Sequence, residues 1–145
     1  MIAQQPTIGH SKSLPSQDVE QMQNLIEAKT ADLDEIAIKG DRLVVNNFSI
    51  REWVRDRDDM PEDKALILLE FSCSIKNKSD QPRRVSIIVV GFDEKKSPLW
   101  AAHLRGGLRA ISAHSTATLN EYDIVVPVGT KDNTAIVRIS AFGDF

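Results

Sequence analysis

The sequence predicts an antiparallel β-sandwich of about seven strands with one N-terminal amphipathic helix. Three observations predict it. Residues 65–93 read as two long strands, Ala65–Lys76 and Arg84–Asp93, joined by the polar turn Asn77-Lys78-Ser79-Asp80-Gln81-Pro82. Strand-like runs and turns then recur at short intervals, with no helical crossover between them. Finally, 145 residues with 41% apolar and 27% charged side chains suffice for one ordinary domain that needs no metal or disulfide to fold.

The central pair carries the clearest pattern. Leu69, Phe71, Cys73 and Ile75 point one way, and Glu70, Ser72, Ser74 and Lys76 the other. A period of two sets one face on a core and one in water. Residues 66–69 are apolar on both faces, which predicts that this end is covered on both sides. The second strand is rich in Val and Ile, whose branched side chains suit a pleated surface. Pro82 has no N–H for a ladder and belongs in the turn.

In chain order, residues 1–15 contain Pro6 and Pro15 and read as a flexible tail. Residues 16–34 read as the helix, with Ser16 as N-cap and Asp18 in the first turn. Val19, Met22, Leu25, Ile26 and Leu33 would form its apolar face. The sandwich is assigned to residues 35–145. Residues 35–54 predict one bent strand or two short ones, with a turn at Gly40-Asp41 and a bulge at Asn46-Asn47, since Asn tolerates left-handed backbone. Trp53 is expected to pack under the sandwich edge.

Residues 55–64 form a charged loop whose carboxylates raise the question of calcium. Counted from Asp56, the sixth position is Pro61, where a calcium loop needs Gly, so a solvated loop is the better reading. Further strands are expected at Leu99–Leu104, Ala117–Val126 and Thr134–Phe142.

Charge is uneven. Residues 1–64 carry thirteen acidic and eight basic residues, a net of −5, and residues 65–145 carry eight and ten, a net of +2. The total of −3 argues against a general nucleic-acid binder. No stretch approaches the length of a membrane helix. His10, His103 and His114 have no zinc-like spacing, and Ser112, His114 and Ser115 lack a nucleophile elbow. Phosphate-binding glycine loops are absent. The expectation is no enzyme, no metal and no cofactor. The single cysteine, Cys73, falls on the core side of its strand and reads as an inert thiol.

The best candidate for a ligand or partner contact is the turn Arg105-Gly106-Gly107-Leu108-Arg109, with Trp100 nearby. Arg105 and Arg109 would bring two planar donor forks to a flexible tip. The plainer alternatives are an ordinary charged hairpin tip and a core tryptophan.

From Phe71 onward the chain resembles the small immunoglobulin-like modules of bacterial envelope proteins typified by the FxLYD domain. The resemblance rests on an Asn-containing turn (Ile75-Lys76-Asn77-Lys78-Ser79), an apolar strand closing on aromatic-Asp (Val89-Val90-Gly91-Phe92-Asp93), a late Val126-Pro127 and a final alternating strand. It covers about half the chain, and Val89 and Gly91 stand where bulkier residues are usual. It implies an immunoglobulin-like sandwich in an extracytoplasmic, non-enzymatic accessory role, and brings no catalytic residues.

The reading is therefore a protein-interaction or assembly module of a bacterial envelope or secretion system. Its contacts would come from the N-terminal helix or a sheet edge, with homo-oligomerisation open. The alternative is a domain that binds or carries a small anionic ligand. The start Met1-Ile2-Ala3-Gln4-Gln5-Pro6 lacks an export signal. The location is periplasmic if Met1 stands in for a removed signal, and cytoplasmic otherwise.

Overall fold

The computed structural model describes residues 24–54, 66–105 and 110–145. Its strands, in chain order, are β1 (Leu25–Lys29), β2 (Ile38–Lys39), β3 (Leu43–Val54), β4 (Leu66–Asn77), β5 (Val85–Phe92), β6 (Pro98–Arg105), β7 (Thr116–Pro127) and β8 (Ile136–Gly143). A single helical turn, α1 (Thr130–Asn133), precedes β8. The strands form two four-stranded sheets in the orders β1-β8-β5-β6 and β2-β3-β4-β7, with every pairing antiparallel.

The alternation in β4 is realised as expected. Ile67, Leu69, Phe71, Cys73 and Ile75 are buried between the sheets, facing Ile87, Val89, Val137 and Ile139. Asn46-Asn47 is indeed a bulge: the β3–β4 register shifts between Asn46 and Ser49, and Asn47 takes φ 55°. That shift moves the inward set from Leu43 and Val45 to Phe48 and Ile50, so the Phe48 ring enters the core 6.0 Å from Phe71.

The N-terminal helix is corrected over the part described. Residues 1–23, which include the expected tail and the first half of the helix, lie outside the described residues. From Leu25 the chain is a strand, followed by a 3-10 turn at Thr30–Glu35. The sheet thus begins inside the stretch assigned to the helix. Ile26 and Ala28 face inward opposite Ile139 and Val137, while Leu25, Glu27 and Lys29 are exposed. Leu25 and Ile26 fit a helical and an alternating pattern equally, and the otherwise open edge of β8 decides between them. With β1 and β2 the strands among the described residues number eight, where about seven were expected.

Two buried polar assemblies hold the ends. At one end Asn77, fully buried, closes β4. Its Nδ2 donates to the carbonyls of Gln81 (2.8 Å), Ile111 (2.9 Å) and Ser112 (3.3 Å), and its Oδ1 accepts from the Ser79 N–H and hydroxyl. Nearby, Asp144 pairs with both Arg42 and Arg83. At the other end the Trp100 indole donates to Thr134 Oγ1 (3.0 Å), which donates to the Thr130 carbonyl (2.7 Å). Gly91 lies directly under that indole, and any Cβ there would collide with the ring.

Two predictions follow from these contacts. Asn77→Ala removes a fully buried side chain and at once its bonds to three carbonyls, the Ser79 N–H and the Ser79 hydroxyl, so we expect a loss of about 2–4 kcal/mol in urea unfolding. A loss below about 0.5 kcal/mol would show that the carboxamide is not the tie described here. The second concerns Cys73, whose thiol burial pushes up to about 12. The unfolded thiol ionises near pH 8.5–9, as ordinary thiols do. The folded chain therefore holds the proton longer, and the stability this confers is complete below about pH 9 and lost as pH rises towards 12. Relative to Cys73→Val, the native chain should lose up to about 1.4 kcal/mol per pH unit in that window. Parallel pH profiles for the two chains would contradict this.

Candidate functional site

Of the sequence-predicted site residues only Trp100 has a described side chain, and it does not reach the surface. Trp100 is buried, with its ring 6.3 Å from Phe71 and its N–H committed to Thr134. It is a core residue and offers no face to a partner. Arg105 ends β6, and Arg109 lies outside the described residues, as does the loop 55–64. His103 and His114 are far from being a pair: His103 lies on β6, while His114 bonds Asp80 at 2.7 Å on the surface. Among the described residues no group of three or more His, Cys, Asp or Glu side chains is placed to hold a metal.

The outer face of the β2-β3-β4-β7 sheet presents a different constellation. Register pairs Trp53 of β3 with Leu68 of β4, and Leu68 with Val125 of β7, so these three form one row across the sheet. Trp53 is 47% exposed and Val125 50% exposed, with Leu66 exposed in the next outward row. At the end of β4 expected to be covered on both sides, the outer residues Leu66 and Leu68 are exposed and half-buried, and the adjoining residues 55–65 lie outside the described ones. Leu68 is half-buried, and Ile67 and Leu69 are buried.

Beneath this row lies Glu70, only 3% exposed although its strand position points it away from the core. Its Oε2 accepts from the Trp53 indole N–H at 2.7 Å. Arg51, directly opposite Glu70 in register, sets its guanidinium over the Trp53 ring, 5.9 Å from the centroid. Trp53 is thus held at its indole N–H by a hydrogen bond and over its ring by a cation. Arg51, Glu52, Trp53 and Lys131 line a shallow groove of about 300 Å³. Glu52 accepts the backbone N–H of Lys131 at 3.2 Å, which ties α1 to the strand that carries Trp53.

The outer face of the other sheet also exposes Leu25, Ile88 and Phe142. There the charges are consumed within the sheet, since Arg138 bonds Glu27 at 3.0 Å and stacks over Phe92. The groove beside Phe142 is lined by Asn24 and Leu25, where the described chain begins. Trp53 and its neighbours are the better defined surface.

Sequence reasoning placed Trp53 under an edge, and parity could have corrected it. Once the bulge at Asn46-Asn47 turns Phe48 and Ile50 inward, Trp53 falls on the outward set. The burial of Glu70 has no comparable signal, because it depends on the neighbours that strand pairing supplies.

No protein-family model matches the sequence, the FxLYD type included, and no curated protein matches it. Among solved structures, the Salmonella enterica trimeric lipoprotein SadB aligns over 96% of this chain and 73% of its own, at 13% identity and a TM-score of 0.46. The ApaA protein from Bordetella pertussis aligns over 70% and 90%, at 12% identity and a TM-score of 0.38. A DUF1425 family member from Shewanella sp. pv-4 aligns over 75% and 86%, at 12% identity and a TM-score of 0.33. Likenesses of this size carry no inference about function.

The bond between Glu70 and Trp53 can be tested directly. In the native chain the indole N–H should exchange slowly with solvent deuterium, and Glu70→Leu should release it by at least about tenfold. Equal exchange in both chains would mean that Glu70 does not hold the ring.

Proposed function

We propose that the chain is a non-enzymatic protein-interaction module, an immunoglobulin-like sandwich serving as an accessory component of a bacterial envelope or secretion assembly. The observation that carries the interaction reading is Trp53, a large apolar ring held in one orientation by a buried carboxyl yet left half in solvent. Tryptophan anchors of fixed orientation are the groups from which binding surfaces draw most of their energy, because little side-chain freedom remains to be lost.

Strand order supports the immunoglobulin-like part. β3, β4 and β7 take the A, B and E places of that fold, and β5, β6 and β8 take C, C′ and F. β1 then fills the place of the last strand, G, from the opposite end of the chain. Support for the envelope part comes from the resemblance at Ile75–Ser79 and Val89–Asp93. Among the described residues no helix is long and apolar enough to cross a membrane.

The test is to fractionate cells expressing the native gene, sequence the N-terminus and cross-link before lysis. The expected outcome is an extracytoplasmic chain in a cross-linked species larger than the 16.1 kDa chain. A cytosolic, uncross-linked monomer would overturn the proposal.

A further inference from the structure

The charges around Trp53 indicate the kind of partner that fits it. Among the described side chains two carboxyl groups lie close by, and both are occupied by uncharged donors: Glu70 by the indole N–H and Glu52 by the Lys131 backbone N–H. Glu70 is buried and Glu52 half-buried. Of the two cations of the groove, Arg51 is exposed and Lys131 half-buried. Among the described residues neither Arg51 nor Lys131 forms an ion pair, although Arg51 stands directly opposite Glu70 in the β3–β4 register. Among the described side chains, the apolar row Trp53–Leu68–Val125 is therefore bordered by an exposed cation, Arg51, that no carboxylate neutralises.

From this placement we infer that the surface docks an acidic, apolar segment of another protein. One large apolar side chain of the partner would lie on Trp53 and Leu68, with carboxylates reaching Arg51 and Lys131. Arg51 offers a planar fork suited to a carboxylate, and it can bind one while its face stays on the indole. A second copy of this chain fits poorly, because a two-fold contact centred on Trp53 would bring Arg51 and Lys131 against their own copies. The inference rests on the interaction reading and names the partner class for it.

The test is selection from a random dodecapeptide library on the immobilised full chain, followed by affinity measurement on native, Trp53→Ala and Arg51→Glu proteins. Circular dichroism and urea midpoints would establish that both variants fold. Selected peptides should carry more Asp and Glu than Lys and Arg around a Leu, Phe or Trp. Their affinity should fall at least about tenfold in Trp53→Ala, as for a central anchor. In Arg51→Glu the charge preference of selected peptides should shift towards Lys and Arg. Three outcomes would overturn the inference: no peptide selected, peptides without acidic bias, or binding indifferent to both substitutions. Sedimentation of the native chain, but not Trp53→Ala, with phosphatidylglycerol vesicles and no peptide selected would assign the surface to anionic lipid instead. If the inference fails while cross-linking still captures a partner whose capture Trp53→Ala does not affect, the interaction reading survives on another surface. If cross-linking captures nothing, both fail.

Discussion

One carboxamide closes one end of the sandwich. Asn77 ends β4, which pairs with both β3 and β7 and so sits inside its sheet. The chain must leave this strand for the other sheet, and the segment returning from β6 to β7 must pass beside it. Both passages expose backbone groups that no ladder serves. The Asn77 side chain bonds carbonyls on each, at Gln81 on the outgoing side and at Ile111 and Ser112 on the returning side. The pairing of Arg83 with Ile111 then joins the two passages directly. A buried amide so fully bonded fixes one geometry, because every alternative leaves an unsatisfied polar group out of water.

The opposite end is organised by threonines and a tryptophan, and the candidate surface depends on it. Thr130 Oγ1 donates to the Pro127 carbonyl at 2.6 Å, which shapes α1 as the chain turns from β7 to β8. Gly129 makes that turn with φ 88°, in the left-handed region that favours glycine. α1 then presents the Lys131 N–H to Glu52, one residue from Trp53. Trp100, on the inner side, anchors the same turn through Thr134. The inner tryptophan thus supports the turn that borders the outer one, through Thr134 and the Thr130 carbonyl.

How much of this the sequence could disclose differs from element to element. The β4 alternation and the Asn46-Asn47 bulge are local patterns, and both were legible. β1 was not, because Leu25 and Ile26 serve either period and the deciding factor, the edge of β8, lies far along the chain. Trp100 was put forward as a contact residue because Arg105 is near it in sequence. What removes it to the core is Gly91, whose missing side chain makes room for the ring. That complementarity appears only once Gly91 and Trp100 are known to be partners in register. Trp53 was legible through the bulge, and Glu70 was not, since β4 parity predicts an exposed carboxylate there.

Glu70 and Trp53 together argue for a role other than stability. Burying a carboxyl group costs desolvation that one indole hydrogen bond offsets only in part. Leaving an indole half in water forfeits much of the burial it could contribute elsewhere. Two apolar residues at these positions would serve the fold at least as well, as replacements of buried polar pairs commonly do. Local choices that disfavour folding cluster where a surface has another task. The row Trp53–Leu68–Val125 fits that description, because a docking partner would exclude water from the indole and strengthen its bond to the carboxyl beneath.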